Sequence, residues 1–403
     1  MGYTEGKEVL ALPWRVTSVV KERERLVRAY VSGRYRVSEL AEAVGVSRKT
    51  AHKWLKRFTE MGPAGLNDRP RAAHHHPNAV PGAVVAAVIR AKQAHPTWGP
   101  LKLQPHPEEP PEVASAWPAP STRGAILARA GLTQARRRRR RVAPASLPFQ
   151  ACDSPNSVWC ADFKGWFRTG DGQRCDPLTI SDAYSRMLLC CRGVSRPDYT
   201  HVRPVFEATF REYGLPETIR TDNGPPFASV AVGGLSRLGV WWVKLGIRIE
   251  RIQPGHPEQN GRHERMHLTL KQECCRPPAA TAAAQELSFD VFREAYNHKR
   301  PHQALNLEPP AAWYQPSAKR YPANLEDPQY PGHATIRRVR SNGEIKWRGN
   351  LVFISEALTA EAVGLLETLA GYDVYFGPVL LGHLDHLQER LVRPSGGYTN
   401  VNL

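Results

Sequence analysis

The sequence lacks the features that mark several large protein classes. Its 403 residues contain no run that approaches the roughly 18 apolar residues a membrane helix needs. Residues 1–10 include Glu5 and Glu8 and do not show the basic and then apolar segments of a signal peptide. The 7 cysteines have no Cys-x-x-Cys spacing, which argues against a disulfide framework and a zinc knuckle. We therefore expect a protein of the reducing cytoplasm without a membrane partner.

Acidic residues are scarce in the first part of the chain. Residues 1–150 hold 26 Lys and Arg against 11 Asp and Glu, a net charge of +15, whereas the remainder holds 29 against 27, a net of +2. This imbalance predicts a polyanionic partner, with nucleic acid favoured over a membrane surface. A basic run near the end of this part is expected to follow a phosphate backbone. The run consists of Arg136, Arg137, Arg138, Arg139, Arg140 and Arg141.

Residues 21–58 show the periodicity of three short helices. Ser38 can cap the second helix, Gly45 ends it and Ser47 caps the third. A short helix, a glycine turn and a longer basic helix are typical of a helix-turn-helix, whose last helix enters the DNA major groove. The residues expected inside the first two helices are Leu26, Ala29, Tyr30, Leu40, Ala41 and Val44. Those expected to face DNA are Arg48, Lys49, His52, Lys53, Lys56 and Arg57.

A second helical region is expected from 84 to 130. Helices are predicted over Val84–Ala94 and Thr122–Ala130. Between them, residues 104–112 contain four prolines, which forbid a continuous helix.

The periodicity changes beyond Pro155. Strands are predicted at 158–167, 178–182, 187–194, 218–221 and 247–252, with helices near 202–213, 235–245 and 261–274. Three successive strands followed by alternating helices and strands predict a mixed sheet with helices on its faces. A small β region follows, in which Asn342-Gly343 predicts a hairpin between 334–340 and 345–347.

Three carboxylates have positions that suggest chemistry. Asp162 lies within an apolar strand, Asp222 ends a strand, and Glu264 opens a helix. Two aspartates at strand ends and a glutamate on a nearby helix can hold two Mg²⁺ ions, which prefer carboxylate and water oxygens. Such a pair can activate a water or hydroxyl and stabilise the leaving oxygen of a phosphodiester.

Other titratable residues are weaker candidates. Asp176 and Asp182 flank a strand, and a role in turns or capping explains them better. His263 and His267 can act as proton shuttles, although such residues more often contact phosphate or cap helices.

The segments around these carboxylates resemble the integrase catalytic core. They are Asp162-Phe-Lys-Gly-Trp-Phe167, Thr221-Asp-Asn-Gly224, and Gln259-Asn-Gly-Arg-His-Glu-Arg-Met-His267 followed by Leu270-Lys271. The stretch Tyr296–His302 is similar to the one that closes such cores. Together with the N-terminal helices, these motifs resemble bacterial insertion-sequence transposases. The resemblance implies an RNase H-like fold with an Asp-Asp-Glu metal site at Asp162, Asp222 and Glu264.

Glu258 is the alternative to Glu264. It lies 36 positions after Asp222, the separation found in many integrase-type cores, whereas Glu264 lies 42 positions after it. Glu264, however, matches the glutamate of the family motif. A helix starting there also places Lys271 two turns further along the same face, where it can meet DNA phosphate. We therefore favour Glu264.

The resemblance implies a DNA transposase that cleaves element ends and transfers the strand into target DNA, using Mg²⁺ or Mn²⁺, with two ions expected. Its implied partners are double-stranded DNA and further copies of this chain on that DNA, in the nucleoid of a bacterial cytoplasm. The alternative is a catalytically inactive DNA-binding remnant, because relatives usually carry a continuous helical region where residues 104–112 are proline-rich.

The expected architecture is multidomain. An all-α helix-turn-helix domain is expected at 15–62, a second helical region, possibly degraded, at 78–133, and a basic linker at 134–154. An α/β RNase H-like core with a mixed sheet is expected at 155–320, and a small β-barrel-like module at 330–394.

Overall fold

The computed structural model describes residues 17–69, 79–133, 151–229, 232–252, 261–385 and 390–392. The chain forms two compact units, the first ending at Ala79 and the second beginning at Val80. Among the described residues, no helix is long and apolar enough to cross a membrane.

The first unit is built from three helices: α1 (Val19–Val31), α2 (Val37–Ala43) and α3 (Arg48–Met61). As predicted, the Ser47 hydroxyl caps α3 by accepting from the Thr50 amide at 3.2 Å. Gly45 follows α2 with φ +70°, a left-handed conformation that glycine adopts without strain. The buried side chains that join the three helices are Leu26, Val27, Ala41, Ala51, Trp54, Leu55 and Leu66.

Three details of the first unit differ from the prediction. Tyr30 is 45% exposed and Val44 is 38% exposed, although both were expected inside. Each lies at the C-terminal end of its helix, and these short helices leave the ends of their faces uncovered. The N-cap of α2 is Arg36 rather than Ser38, because Glu39 accepts from the Arg36 amide at 2.9 Å.

The second unit begins with helices α4 (Gly82–Ala94), α5 (Pro111–Ser115) and α6 (Pro120–Arg129). The proline-rich stretch does interrupt the helices, as predicted. It is nevertheless held in place, since Arg90 pairs with Glu109 at 2.7 Å and the Trp117 indole donates to the Leu103 carbonyl at 3.2 Å. A small apolar core joins α4 to α6, formed by Val88, Trp98, Leu103, Ile126 and Leu127, and Val113 of α5 packs separately on Val84 and Ala87 of α4.

A six-stranded mixed sheet forms the centre of the second unit. Its strands are β1 (Val158–Phe163), β2 (Phe167–Arg168), β3 (Arg174–Asp182), β4 (Leu188–Val194), β5 (Thr218–Thr221) and β6 (Arg248–Arg251). Strand β3 pairs antiparallel with β1, β2 and β4, whereas β1 and β6 run parallel to β5. The strand predicted over 158–167 is therefore divided into β1 and β2.

Four helices accompany the sheet: α7 (Tyr199–Tyr213), α8 (Arg237–Lys244), α9 (Gly261–Glu273) and α10 (Ala282–His298). The core between the sheet and the helices is rich in aromatic side chains. Its largest fully buried members include Trp159, Phe206, Phe210, Phe227 and Trp242. These large side chains fix the strands whose ends carry the candidate carboxylates.

The chain then forms strands β7 (Thr335–Arg338), β8 (Glu344–Trp347), β9 (Asn350–Phe353), β10 (Ala362–Thr368), β11 (Gly371–Phe376), β12 (Val379–Asp385) and β13 (Leu391–Val392). A five-stranded sheet has the order β13-β12-β11-β10-β7, and its pairs are antiparallel. The mixed central sheet and the C-terminal β module are thus confirmed.

The hairpin predicted at Asn342-Gly343 forms at its turn but does not extend into the flanking strands. The Gly343 amide donates to the Arg340 carbonyl at 2.9 Å, and the Arg340 amide donates to the Glu344 carbonyl at 2.8 Å. Beyond this turn, the described pairings are of β7 with β10 and of β8 with β9. Pairing of β8 with β9 places Ile345 opposite Val352, and both side chains are buried. Burial of this apolar pair outweighs the local preference of the turn sequence.

Candidate catalytic site

Two of the predicted carboxylates lie at or just after the ends of paired strands in the central sheet. Strands β1 and β5 run parallel, with Val158 opposite Thr218 and Cys160 opposite Arg220. Continuing this register by two residues places Asp162 opposite Asp222, which directly follows β5. Neighbouring strands lie about 4.8 Å apart, and residues in one register row point to the same face. The parallel pairing therefore sets the ends of β1 and β5 side by side, and these ends carry two aspartates that are 60 residues apart in the sequence.

The loop after β5 orients Asp222. The Gly224 amide donates to Asp222 Oδ1 at 3.1 Å, and the Asn223 amide group donates to the Ile252 carbonyl at 2.7 Å. A Cβ atom on Gly224 would lie 3.1 Å from Asp222 Oδ2, which is closer than nearly all such contacts. The Thr221-Asp-Asn-Gly224 segment thus holds the carboxylate at the strand end and leaves it partly exposed.

Helix α9 is attached to the sheet beside Asp162 by buried hydrogen bonds. Thr179, opposite Asp162 in the β1–β3 register, donates its hydroxyl to the Asp162 carbonyl at 3.1 Å. The Nε2 atoms of His263 and His267 both lie 2.7 Å from the same hydroxyl oxygen. Since the hydroxyl proton is used, both imidazoles must donate Nε2–H to Thr179. Ser181 Oγ lies 3.1 Å from His263 Nδ1 and completes the attachment.

Both histidines are neutral in this environment. Burial lowers the pKa of His263 to about 3. Burial, together with the nearby His263 and Lys164, lowers the pKa of His267 to about 2. The two imidazoles therefore add no positive charge beside Asp162.

Asp162, His263 and His267 form a group whose possible metal-ligand atoms lie within 4.8 Å of one another. His267 Nδ1 is 4.0 Å from Asp162 Oδ2, and with Nε2 protonated this Nδ1 presents a lone pair to the carboxylate. The two Nε2 atoms are occupied by Thr179 and His263 Nδ1 by Ser181. A cation in this group would thus meet the Asp162 carboxylate and His267 Nδ1.

Glu264 lies in the first turn of α9, between the two buried histidines, and its side chain is exposed. Neither Glu264 nor Asp222 is a member of the Asp162–histidine group found among the described residues. Glu258 lies outside the residues that the structure describes. Lys271 is partly exposed near the C-terminal end of α9, where its charge contributes with burial to lowering the pKa of Lys164.

The two weaker aspartate candidates have structural surroundings. Asp182 is fully buried and accepts from the amides of Asn156 and Ser185 at 2.8 and 2.7 Å. Asp176 is buried and pairs with Arg174 at 2.7 Å. Both contacts agree with a role in holding turns and strands.

The predicted DNA-reading face lies on α3. Arg48, Lys49, His52 and Lys53 are all exposed there, while Trp54 on the other face is buried. Arg57 has a partly structural role, since it donates to the Asn67 carbonyl at 3.2 Å. The arginine run 136–141 lies outside the described residues.

Sequence reasoning missed Thr179 and the mode of attachment of the two histidines. A signal was present, because His263 and His267 are four residues apart and share one helix face. Their contact with Thr179 depends on the β1–β3 register, which no local pattern contains.

Comparison with known proteins agrees with this architecture. Residues 153–257 and 245–310 match two family models that are each described as an integrase core domain. Residues 22–74 match a helix-turn-helix domain, and residues 50–127 match a homeodomain-like domain.

Two similar proteins come from bacterial insertion elements. One is the insertion element IS407 uncharacterized 31.7 kDa protein of Burkholderia multivorans, 30% identical over 45% of this chain and 64% of that protein. The other is the insertion element IS476 uncharacterized 39.2 kDa protein of Xanthomonas euvesicatoria, 30% identical over 45% of this chain and 51% of that protein. The chain thus spans between half and two thirds of the length of these relatives.

Among solved structures, the catalytic core domain of HTLV-2 integrase in complex with magnesium is 14% identical, covering 40% of this chain and 99% of that one. Its TM-score of 0.33 is too low to carry an argument. The family matches and the insertion-element relatives confirm the resemblance predicted from the sequence: the N-terminal part of the chain is similar to a helix-turn-helix domain and the central part to an integrase core domain.

Proposed function

We propose that the chain is a DNA transposase that cleaves the ends of its element and transfers the cleaved strand into target DNA. The observation that carries the proposal is the parallel pairing of β1 with β5 in a region that matches the integrase core, which supports neighbouring positions for Asp162 and Asp222 at the ends of these strands. The helix-turn-helix match at 22–74 supports duplex DNA as the substrate.

The proposed metal ligands are Asp162, Asp222 and Glu264. Carboxylate oxygens at a partly exposed sheet edge fit Mg²⁺ or Mn²⁺, and the neutral His263 and His267 leave the negative charge of Asp162 uncompensated by an imidazolium. Two bound ions would lower the pKa of an attacking water or DNA hydroxyl and stabilise the leaving oxygen of the phosphodiester.

The protein's own part is to position these carboxylates. Gly224 and Asn223 hold the Asp222 loop, and Thr179 joins α9 to β1 through the Asp162 carbonyl. Because α9 is fixed by His263 and His267, Glu264 is kept on the turn of helix next to Asp162. We propose that this attachment lets a third carboxylate reach the site when DNA and metal are bound.

DNA contacts are proposed for the exposed face of α3, for Lys271 and for the basic linker. Arg48, Lys49, His52 and Lys53 would read the terminal repeats, whereas the arginines 136–141 and Lys271 would contact phosphates. Joining two DNA ends requires more than one active site, so we propose that the chain acts as a homo-oligomer on DNA. The predicted domain boundaries and a nucleoid location in a bacterial cell belong to the same proposal.

The competing proposal is a DNA-binding remnant without turnover. Its support is the exposed Glu264, which does not join the Asp162–histidine group among the described residues. The proline-rich stretch 104–112 no longer supports it, because the helices on both sides still share a packed core.

The test is cleavage of duplex DNA carrying the inverted repeats that flank the gene. Full-length protein is incubated with this DNA and Mg²⁺, Mn²⁺ or a chelator, and nicked and joined products are separated on denaturing gels. We expect metal-dependent products that Asp162→Asn abolishes while DNA binding persists. Glu294→Gln, which changes an exposed carboxylate on α10, is the matched control and should retain activity. A wild-type protein that binds this DNA but forms no product with either metal would overturn the transposase in favour of the remnant.

A further inference from the structure

The first residues of the motif Tyr296–His302 hold the end of α10 against the central sheet. The Asn297 side chain accepts from the Leu188 amide at 2.8 Å and donates to the Leu188 carbonyl at 2.9 Å, which ties the end of α10 to β4. Tyr296 is buried, and its ring lies 4.8 Å from that of His302. These contacts give Tyr296 and Asn297 a structural role. They do not account for the basic residues in the second half of the motif, Lys299 to His302.

Arg300 links this motif to two other parts of the second unit. Its buried guanidinium contacts Glu273 Oε1, in the last turn of α9, at 2.8 Å and Thr97 Oγ1 at 3.3 Å. Thr97 also hydrogen-bonds to Glu273. The loop that carries Thr97 is held in turn by Lys92, whose amine donates to the carbonyls of Pro96 and Trp98 at 2.6 and 2.8 Å. The loop after α4 is therefore fixed against the C-terminal ends of α9 and α10.

Positive charge accumulates at this junction. Burial, followed by the charges of Arg300 and Arg265, lowers the pKa of Lys102 to about 8. Burial, followed by Lys102, Arg300 and Arg186, lowers the pKa of His302 to about 3. We call the following three cations, together with the neutral His302, the cationic cluster: Lys102, Arg265, Arg300 and His302.

The negative charge within the cluster is small by comparison. Glu273 is the acidic residue that acts on Lys102 and Tyr296, and its carboxylate is already engaged by Arg300 and Thr97. Among the residues the structure describes, neither Lys102 nor Arg265 takes part in an ion pair. His302 Nε2 is buried and, in the same part of the chain, has no hydrogen-bond partner. Three cations around one occupied carboxylate leave this junction with a net positive charge that a bound anion would neutralise.

We propose that the cationic cluster binds a phosphate of the DNA backbone, an inference that rests on the proposed DNA-processing function. Arginine and lysine together suit a phosphodiester, because the guanidinium can bond two oxygens and the ammonium adds a point charge. Glu264 and Glu273 are 9 residues apart on α9, about 14 Å at 1.5 Å per residue. That length corresponds to about four nucleotides at 3.4 Å per phosphate of one strand. The cluster would therefore hold the substrate a few nucleotides from the cleaved bond.

The lowered pKa of Lys102 provides the test. An amine with a pKa near 8 is still mostly protonated at neutral pH, but its unprotonated fraction is far larger than that of an ordinary lysine, so Lys102 should react with formaldehyde and borohydride faster than the exposed Lys319. Methylation of each lysine in the full chain is followed by mass spectrometry, alone and with repeat-end duplex, random duplex or inorganic phosphate. We expect repeat-end DNA to slow methylation of Lys102 at least about tenfold and to leave Lys319 unchanged.

Binding variants give a second measurement. Lys102→Gln and Arg265→Gln should each weaken DNA binding and reduce the slope of log Kd against log salt by about one, whereas Lys319→Gln should not. Normal DNA binding with an unprotected Lys102 and unchanged slopes would overturn the proposal. Protection by inorganic phosphate but not by DNA would also overturn it, because the site would then serve a small anion. A wild-type chain that binds no duplex would overturn the proposed function itself, and this inference with it.

Discussion

Helices α3 and α9 both carry basic and histidine side chains, but α3 holds them on its exposed face, whereas α9 buries two of them. Helix α3 exposes its cations and His52 and buries Ala51, Trp54 and Leu55. Helix α9 does the reverse in part, since it buries His263 and His267 and leaves Leu268 54% exposed.

The difference agrees with the roles proposed for the two helices, recognition of DNA by α3 and metal-dependent chemistry at α9. In α3 the apolar face supplies the stability, and the polar face is available to a partner. In α9 a polar face is buried against Thr179, which costs desolvation and is repaid only by complete hydrogen bonding. The buried histidines fix the first turns of α9, which also carry Glu264.

The largest expected effect comes from the exposed carboxylate of α9. Glu264→Gln keeps the shape of the side chain but removes a negative metal ligand, so we expect the rate of DNA cleavage to fall by at least about 10²-fold. DNA binding should hardly change, because the lost charge repels phosphate. Glu258→Gln should stay within a few-fold of wild type. If Glu258→Gln abolished DNA cleavage and Glu264→Gln retained it, the third metal ligand would be assigned to Glu258.

The next effect tests the buried face of α9. Thr179→Val removes the acceptor of two buried imidazole N–H groups, each worth about 1–3 kcal/mol when left unsatisfied. We expect the free energy of unfolding, measured in urea, to fall by about 2–4 kcal/mol. Thr269→Val is the control, because within the described part of the chain that hydroxyl bonds to the Arg265 carbonyl of its own helix. Equal losses in both variants would mean that the histidine attachment contributes no stability of its own.

The corresponding test on α3 changes recognition rather than stability. Replacing Arg48 and Lys49 together with alanine should reduce the preference for inverted-repeat DNA over random DNA by about 1–3 kcal/mol, with a smaller loss of total affinity. Lys21→Ala with Arg28→Ala, two exposed cations of α1, serves as the matched control. Competition binding measures the preference. An unchanged preference for inverted-repeat DNA in the α3 variant would show that α3 is not the helix that recognises the DNA sequence.

The smallest effect is a pH dependence that α9 should show. His263 and His267 are neutral when folded and gain protons near pH 6.5 when unfolded, because burial lowers their pKa to about 3 and about 2. Their contribution to stability is therefore complete above pH 6.5 and is lost as the pH falls toward 3. Each adds up to about 1.4 kcal/mol per pH unit in that window. His267→Gln should flatten the curve of unfolding free energy against pH between 6 and 4.5 by about one proton; an unchanged slope would contradict the burial of this imidazole.

Much of the fold followed from local patterns. The Ser47 cap, the Gly45 turn and the strand ends that carry Asp162 and Asp222 depend on residues close in sequence, and the structure has them where the patterns placed them. Tyr30 and Val44 were placed wrongly because exposure at a helix end depends on how far the neighbouring helices extend.

The remaining features depend on contacts that are distant in sequence. The strands beside the Asn342-Gly343 turn were paired wrongly in the prediction, because β7 pairs with β10 and Ile345 of β8 lies opposite Val352 of β9. A turn sequence does not encode these pairings. The Thr179 contacts join residues 84 and 88 positions apart. The cationic cluster likewise combines Lys102 with Arg300, which is distant in sequence. A local sequence pattern therefore does not predict the charge of the cluster or its proposed role.

The central claim is that aspartates from two strands form one divalent-metal site. Electron paramagnetic resonance of Mn²⁺, titrated into the full chain with repeat-end DNA bound, measures that site without requiring turnover. We predict that Asp162→Asn and Asp222→Asn each weaken Mn²⁺ binding as much as the double variant does, because each removes a ligand of the same site. Wild-type affinity in either single variant, or losses that simply add in the double variant, would contradict the account.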